Sequence, residues 1–186
     1  QHAPGMFTLS LGILLLQKLE ERPLEAMGRY AAAAGAALAM AVVSRPLNIV
    51  PALLLALFVL LRHRRTLIAF GVPFASIGCC LVAYNVLNFG HLTGGYQAVY
   101  DSPSLRGLGL SPATAFSMPL LQGFASTLVS PSKGLLIFPQ FMLAVSVGAV
   151  AVWRDTEFPL GRYSVICFFF VLVILSKNEL SWGGAK

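Results

Sequence analysis

The fold is decided by residues 30–65, which read YAAAAGAALAMAVVSRPLNIVPALLLALFVLLRHRR. The first 32 of these residues contain one charged side chain, Arg45. As a single helix they would be about 48 Å long at 1.5 Å per residue, too long for one simple crossing of a hydrocarbon core about 30 Å thick. Pro46 removes a helical hydrogen bond and disfavours the α conformation at Arg45, which predicts a helix break at this point.

The charges on both flanks of this stretch predict a hairpin of two short helices. The basic residues are Lys18, Arg22 and Arg29 before it, and Arg62, Arg64 and Arg65 after it. Cytoplasmic flanks of membrane helices carry an excess of Lys and Arg, so we expect both flanks on the cytoplasmic side. Arg45 then lies at the outer turn of the hairpin.

The composition of the whole chain predicts an integral membrane protein. Of its 186 residues 57% are hydrophobic and 11% charged, against roughly 25% charged in a soluble domain. The mean hydropathy is +0.78. A soluble domain with so few polar residues could not cover its own surface. The net charge of +6 does not indicate a nucleic-acid partner, because the basic residues form no patch with interleaved aromatic side chains.

Six apolar segments predict an all-α fold, a polytopic transmembrane helix bundle in one domain over residues 1–186. The segments are residues 3–16, 30–43, 47–61, 66–87, 134–152 and 158–175. Ala31, Gly35 and Ala39 recur every fourth residue and predict a helix-packing face, with a substrate groove as the alternative. Since the chain begins with Gln1 and ends just after an apolar segment, we expect an internal or C-terminal piece of a longer membrane protein.

A long outer loop, residues 88–133, separates the fourth and fifth segments. Within residues 113–129, apolar side chains recur every fourth position at Phe116, Leu120, Phe124 and Leu128. This pattern predicts a helix lying in the outer interface or re-entering the membrane. It would serve either as a lid over the bundle or as a guide for a lipid substrate.

Few residues of the loop can take part in chemistry. Asp101 is its one acidic residue, and a single carboxylate is a weak sign of acid–base catalysis, so Asp101 is a minor catalytic candidate. Lys133 follows Ser130 where a helix is predicted to begin. A helix start beside an ammonium and hydroxyl groups is a candidate phosphate site, although a lysine there can equally extend toward lipid headgroups. The spacing of Cys79, Cys80 and Cys167 predicts no metal site.

Four stretches occur in the order found in one family. They are GAALAMAVVSRP at residues 35–46, YNVLNFGHLTGGY at 84–96, LVSPSKGLLIFP at 128–139, and WGG at 182–184. Together they resemble the bacterial polytopic glycosyltransferases of the C superfamily, such as protein mannosyltransferases and aminoarabinose transferases. His91 and Leu92 replace the family's usual Ser-Pro, and Thr93 and Gly94 its Glu-Thr.

The resemblance implies an enzyme of the bacterial inner membrane with its basic loops in the cytoplasm. Such an enzyme moves a sugar from a polyprenyl-phosphate donor to a lipid, glycan or protein acceptor at the outer face. The residues it assigns to donor contact or to shaping the substrate site are Lys133, Arg45, Ser130, Tyr84, Asn85 and Tyr96. It also implies that the catalytic acid, which could anchor a divalent metal, lies upstream of Gln1. No cofactor is predicted within residues 1–186.

Two alternatives come from other classes of membrane protein. A transporter would use broken helices such as the one at Arg45, but transporters commonly bury ionisable residues near the membrane midplane, and the predicted segment interiors have none. A non-enzymatic membrane subunit is the third possibility. A repeat of these segments elsewhere in the protein would favour the transporter.

Overall fold

The computed structural model describes residues 2–92, 94, 119–129, 141–155 and 159–177, which fall in two compact units, Gln1–Gly94 and Gly95–Lys186. The α-helices are α1 (His2–Glu20), α2 (Leu24–Ser44), α3 (Ile49–Arg62), α4 (Leu67–Phe89), α5 (Leu120–Val129), α6 (Phe141–Arg154) and α7 (Pro159–Lys177). Two short 3-10 helices, Pro46–Asn48 and Arg64–Thr66, precede α3 and α4. Within these ranges no strand occurs, and the all-α prediction is confirmed.

Two helical stretches are long and apolar enough to cross a membrane, namely Leu24–Ser44 and Arg64–Phe89. Helices of this length and composition also occur in the cores of soluble proteins, so they are weak evidence for a membrane protein. The prediction of six membrane segments stays a prediction. The first four predicted segments correspond to α1 to α4, and the last two overlap α6 and α7.

Helices α1 and α2 form an antiparallel pair held by small residues. A Cβ atom added at Gly12 would lie 2.6 Å from Leu38 Cδ2, and one added at Gly5 would lie 3.5 Å from Ser44 Cβ. As the chain advances along α1 its contacts therefore move backwards along α2. Leu38 is fully buried in this contact. The start of α1 lies beside the end of α2, and the end of α1 lies beside the start of α2.

The chain reverses direction after α2, as the predicted hairpin requires. Arg45 is extended (φ −153°, ψ 108°), and Pro46 then opens the 3-10 helix. At the far end of α3, His63 Nε2 lies 3.9 Å from Glu20 Oε1 at the end of α1. Since the end of α1 lies beside the start of α2, the end of α3 lies near the start of α2, and α3 is antiparallel to α2.

Helix α4 packs against the small-residue face of α2. Ala31, Gly35 and Ala39 are buried, and a Cβ atom at Gly35 would collide with the backbone carbonyl oxygen of Phe70. The packing role predicted for these residues is confirmed. His63 lies level with the end of α1, and Phe70 lies level with the middle of α2. Helix α4 therefore runs in the same direction as α2, away from the end where Glu20 lies.

The second unit contains α5, α6 and α7. Gly123 of α5 lies against the carbonyl oxygen of Ser176 in α7, and a Cβ atom at Gly123 would collide with it. Ser176 is fully buried and donates its hydroxyl to the carbonyl of Leu172, 2.9 Å away. Arg162 of α7 donates from Nε to the carbonyl of Trp153 in α6 at 3.1 Å. Helix α5 lies inside the predicted loop helix, whose residues 113–118 are outside the described part.

The contact at Gly35 predicts opposite effects for the same substitution at two positions of α2. Gly35→Ala adds a methyl group where the Phe70 carbonyl lies, so it should destabilise the protein by about 1–3 kcal/mol. Gly28→Ala adds the methyl group to open space and should be neutral or stabilising by up to about 1 kcal/mol, since alanine favours helix. Thermal unfolding in neutral detergent measures both, and equal effects would contradict the close α2–α4 contact.

Candidate functional site

Arg45 lies at an ordered helix reversal. Its backbone N–H donates to the Ala41 carbonyl at 3.0 Å, and its own carbonyl accepts from the Asn48 N–H at 2.9 Å. The Asn48 side chain also donates to the Ala41 carbonyl, at 3.0 Å. These bonds satisfy the carbonyl of Ala41 in the last turn of α2 and the carbonyl of Arg45 just after it. The backbone of Arg45 is therefore fixed while its side chain is exposed.

Asn85 holds the turn that follows α4. Its Nδ2 donates to the carbonyl of Leu92 at 3.0 Å, which folds the chain after the helix back onto its last turns. Gly90 ends the helix with φ +70°, and Gly94 has φ +61°. A Cβ atom at Gly94 would lie 2.6 Å from Asn85 Oδ1, so a glycine is needed there for both conformation and space. The Asn85 side chain therefore holds the turn that directly follows α4.

Tyr84 lies beside Asn85 on the last turns of α4. Its ring makes an edge-to-face contact with Phe89, with 6.2 Å between the ring centroids. The backbone carbonyl of Tyr84 accepts from Asn88 Nδ2 at 2.9 Å. The side chain of Tyr84 is 58% exposed. An aromatic ring held on one edge, with its other surface open, can contact a ligand at this helix end.

The charged residues of the first unit lie almost entirely at one end. Ten residues of Gln1–Gly94 are Lys, Arg, Asp or Glu. Nine of them lie in the two connections α1–α2 and α3–α4 or in the adjoining helix turns, and we call this set the charged rim: Lys18, Glu20, Glu21, Arg22, Glu25, Arg29, Arg62, Arg64 and Arg65. The tenth, Arg45, lies at the opposite end. Because α4 runs away from the rim, Tyr84 and Asn85 also lie toward the Arg45 end.

His63 lies beside the charged rim and close to Glu20. Its place between Arg62 and Arg64 predicts only that it belongs to the cytoplasmic anchor, and the approach to Glu20 could not be predicted. Its side chain is 11% exposed and that of Glu20 is 18% exposed. At 3.9 Å the pair is too far apart for a hydrogen bond, and within the described structure His63 Nε2 is buried without a partner. No spacing rule predicts this contact, since it joins residues 43 positions apart.

Burial moves both groups toward their neutral forms. Desolvation lowers the pKa of His63 below its ordinary 6.5, and the nearby Arg62 charge lowers it further. Desolvation raises the pKa of Glu20 above its ordinary 4.5, while Arg62 opposes that rise. The buried imidazole of His63 is therefore mainly uncharged at neutral pH.

The other predicted site residues, Asp101, Tyr96, Ser130 and Lys133, lie outside the described residues. Their predicted roles are untested. Across the parts of the chain that are described, no three His, Cys, Asp or Glu side chains converge as metal ligands would.

Comparisons with known proteins add no assignment. No protein-family model matches this chain, and neither a curated protein nor a solved structure matches it. The resemblance to C-superfamily glycosyltransferases therefore stays a prediction from the quoted stretches.

The lowered pKa of the buried His63 predicts that the free energy of unfolding decreases at acidic pH. The folded-state pKa is lowered, so below about pH 6.5 the unfolded chain binds more protons than the folded one. The contribution of His63 is fully present above that pH and is lost as the pH falls toward the folded-state pKa. Glu20 acts in the opposite sense, because its raised pKa weakens the fold as the pH rises above about 4.5.

Unfolding midpoints of wild type, His63→Gln and Glu20→Gln between pH 7.5 and 5, a range of about 2.5 units around the ordinary histidine pKa, separate the two effects. His63→Gln should lose stability less steeply than wild type as the pH falls. An unchanged slope in His63→Gln would show that His63 titrates as it does in the unfolded chain.

The turn after α4 supplies another prediction. Asn85→Ala removes the bond to Leu92 and should make local opening of the turn easier by about 0.5–1.5 kcal/mol. Gly94→Ala should cost about 1–2 kcal/mol because of its left-handed backbone. Amide exchange of Leu92 and Gly94 reports both effects. Asn88→Ala is the control, since Asn88 bonds within α4 itself, and equal exchange in Asn85→Ala and Asn88→Ala would rule out the holding role of Asn85.

Proposed function

We propose that the protein is part of an integral-membrane glycosyltransferase. It would transfer a sugar from a polyprenyl-phosphate donor to a lipid, glycan or protein acceptor at the outer face of a bacterial inner membrane. The observation that carries the proposal is the charge distribution of the first unit. Nine charged residues lie at one end, and Arg45 lies at the other, toward which Tyr84 and Asn85 also lie.

Membrane insertion accounts for this charge distribution. Ionisable side chains are expensive in hydrocarbon, and between the rim and Arg45 the four helices contain none of Asp, Glu, Lys and Arg. Six of the nine rim charges are basic, which favours the cytoplasmic side for that end. Arg45 would then lie at the outer surface beside the start of α1 and the end of α2, and the last turns of α4 would lie toward the same surface.

The outer end offers chemistry suited to a lipid-phosphate donor. When the sugar leaves such a donor, negative charge develops on the phosphate oxygens, and a fixed cation stabilises that charge without a proton transfer. A guanidinium suits this role because it always carries its charge and can donate two parallel hydrogen bonds to phosphate. The fixed backbone of Arg45 lowers the entropic cost of presenting it. Lys133, from the sequence motif, would be a second phosphate ligand.

The Tyr84–Asn85 turn would form another wall of the site. The side chain of Asn85 is engaged with Leu92, so we assign it the shaping of the loop. The exposed ring of Tyr84 is better suited to contact the sugar or the prenyl chain. The acceptor, once its hydroxyl or amino group is deprotonated, would attack the anomeric carbon opposite the phosphate, with inversion as the resemblance implies. The carboxylate that would accept this proton belongs to the catalytic acidic residue expected upstream of Gln1.

This function predicts loss of donor binding when the outer cation is removed. Arg45→Ala and Lys133→Ala should each weaken binding of a polyprenyl-phosphate sugar about tenfold or more, since a hydrogen bond to a charged group contributes about 1.5–3 kcal/mol. Arg45→Lys should retain part of the binding, because the charge remains while the paired donors are lost. The complete protein in proteoliposomes, supplied with a radiolabelled donor, allows binding and transfer to be measured together.

Arg29→Ala is the matched control, since it removes one exposed arginine from the opposite end. It should leave donor binding unchanged. Equal donor affinity in wild type and in both alanine variants would exclude the phosphate role. Movement of a labelled solute across the vesicle, without sugar transfer, would favour the transporter instead.

A further inference from the structure

The α3–α4 connection combines two arginines with an exposed apolar surface. Arg64 and Arg65 occupy the 3-10 helix Arg64–Thr66, and both are exposed. On the chain just before them Leu61 is 54% exposed, and just after them Ile68 is 79% exposed. Two cations and an apolar surface therefore adjoin within one short segment.

The backbone of this connection is fixed. Thr66 is buried, its N–H donates to the His63 carbonyl at 2.9 Å, and its hydroxyl donates to the same carbonyl at 3.0 Å. Since Thr66 points inward and is bonded on both groups, the two residues before it are held in a defined turn. The position of Arg64 and Arg65 is thus set by the fold.

Two other cations of the charged rim already have partners. Lys18 Nζ lies 2.7 Å from Glu21 Oε2, and the Arg22 guanidinium lies 5.6 Å from the centre of the Tyr30 ring. Arg62 acts on the Glu20–His63 pair. Within the described residues, no ion pair engages Arg64 or Arg65. Their positive charge is available to a ligand from outside.

We propose that Arg64 and Arg65 bind the headgroup phosphate of an anionic phospholipid, whose acyl chains lie along Leu61 and Ile68. The inference rests on the membrane insertion proposed above and is independent of sugar transfer. A soluble phosphate would satisfy the arginines but would leave the adjoining apolar side chains exposed to water. An amphipathic anion matches both surfaces, because its phosphate can bind the arginines while its acyl chains cover the apolar side chains.

The test measures binding of phosphatidylglycerol to the purified protein in neutral-detergent micelles by native mass spectrometry. Phosphatidylcholine and glycerol phosphate are compared at equal concentration. The wild type should prefer phosphatidylglycerol over both. Each arginine near an anionic lipid contributes roughly a fivefold increase in affinity, so Arg64→Gln with Arg65→Gln should lower phosphatidylglycerol binding by about fivefold or more.

Two further variants keep the result interpretable. Arg64→Lys with Arg65→Lys retains both charges and should retain most of the binding, which distinguishes lost charge from misfolding. Lys18→Gln removes a rim cation that is already paired and should have little effect. Equal binding by the double Gln variant and wild type would overturn the proposal. So would equal binding of phosphatidylcholine, or glycerol phosphate binding as tightly as phosphatidylglycerol.

The same variants separate this inference from the proposed transferase. In the complete protein, the double Gln variant should transfer sugar at the wild-type rate in vesicles, because its substitutions lie at the opposite end from Arg45. Lost lipid preference with normal transfer supports the lipid site. Failure of every variant, and of the wild type, to insert into vesicles would overturn the membrane proposal and the lipid site together.

Discussion

The contact between Gly35 and the backbone of Phe70 sets the arrangement of the first unit. Helices with small residues at their interface can approach until their backbones touch. Van der Waals contact between the backbones then stabilises the pair without help from the hydrophobic effect. Here a buried alanine face on α2 receives α4 on one side, while Leu38, next to the same face, packs on Gly12 of α1. Helix α2 contacts both α1, which is antiparallel to it, and α4, which runs in the same direction. The connections between these helices therefore lie at the two ends of the unit.

Those two ends of the first unit differ in charge. Glu20 ends α1 and Arg62 ends α3, 42 positions apart in the chain, yet the antiparallel α1–α2 pair and the returning α3 bring them to one end. Arg45 is separated from them by the length of α2. A membrane would accept this arrangement, since its polar surfaces meet the ends of the helices and its hydrocarbon meets their apolar middle. The same separation would keep the proposed phosphate site at Arg45 apart from the proposed lipid site at Arg64 and Arg65.

The candidate site and the charged rim also differ in how their side chains are held. Asn85 and the Arg45 turn use hydrogen bonds between residues a few positions apart, so local sequence is enough to build them. His63 lies close to Glu20 from another helix, and burial moves the pKa of each toward the neutral form. Such a pair forms only when the helices have packed.

Residues close in sequence were predictable, and residues brought together by packing were not. Pro46 after Arg45 predicts the helix break, the basic flanks predict the reversal, and the four-residue spacing of Ala31, Gly35 and Ala39 predicts a packing face, because each depends on local geometry or on charge. The partner of that face, Phe70, could not be predicted, since many apolar residues are equally able to meet a small one. The sequence by itself determined that the chain is helical, where α2 ends and which residues carry charge. Only the tertiary structure decided that Glu20 meets His63 and that α4 follows the direction of α2, because both depend on how close two backbones can approach.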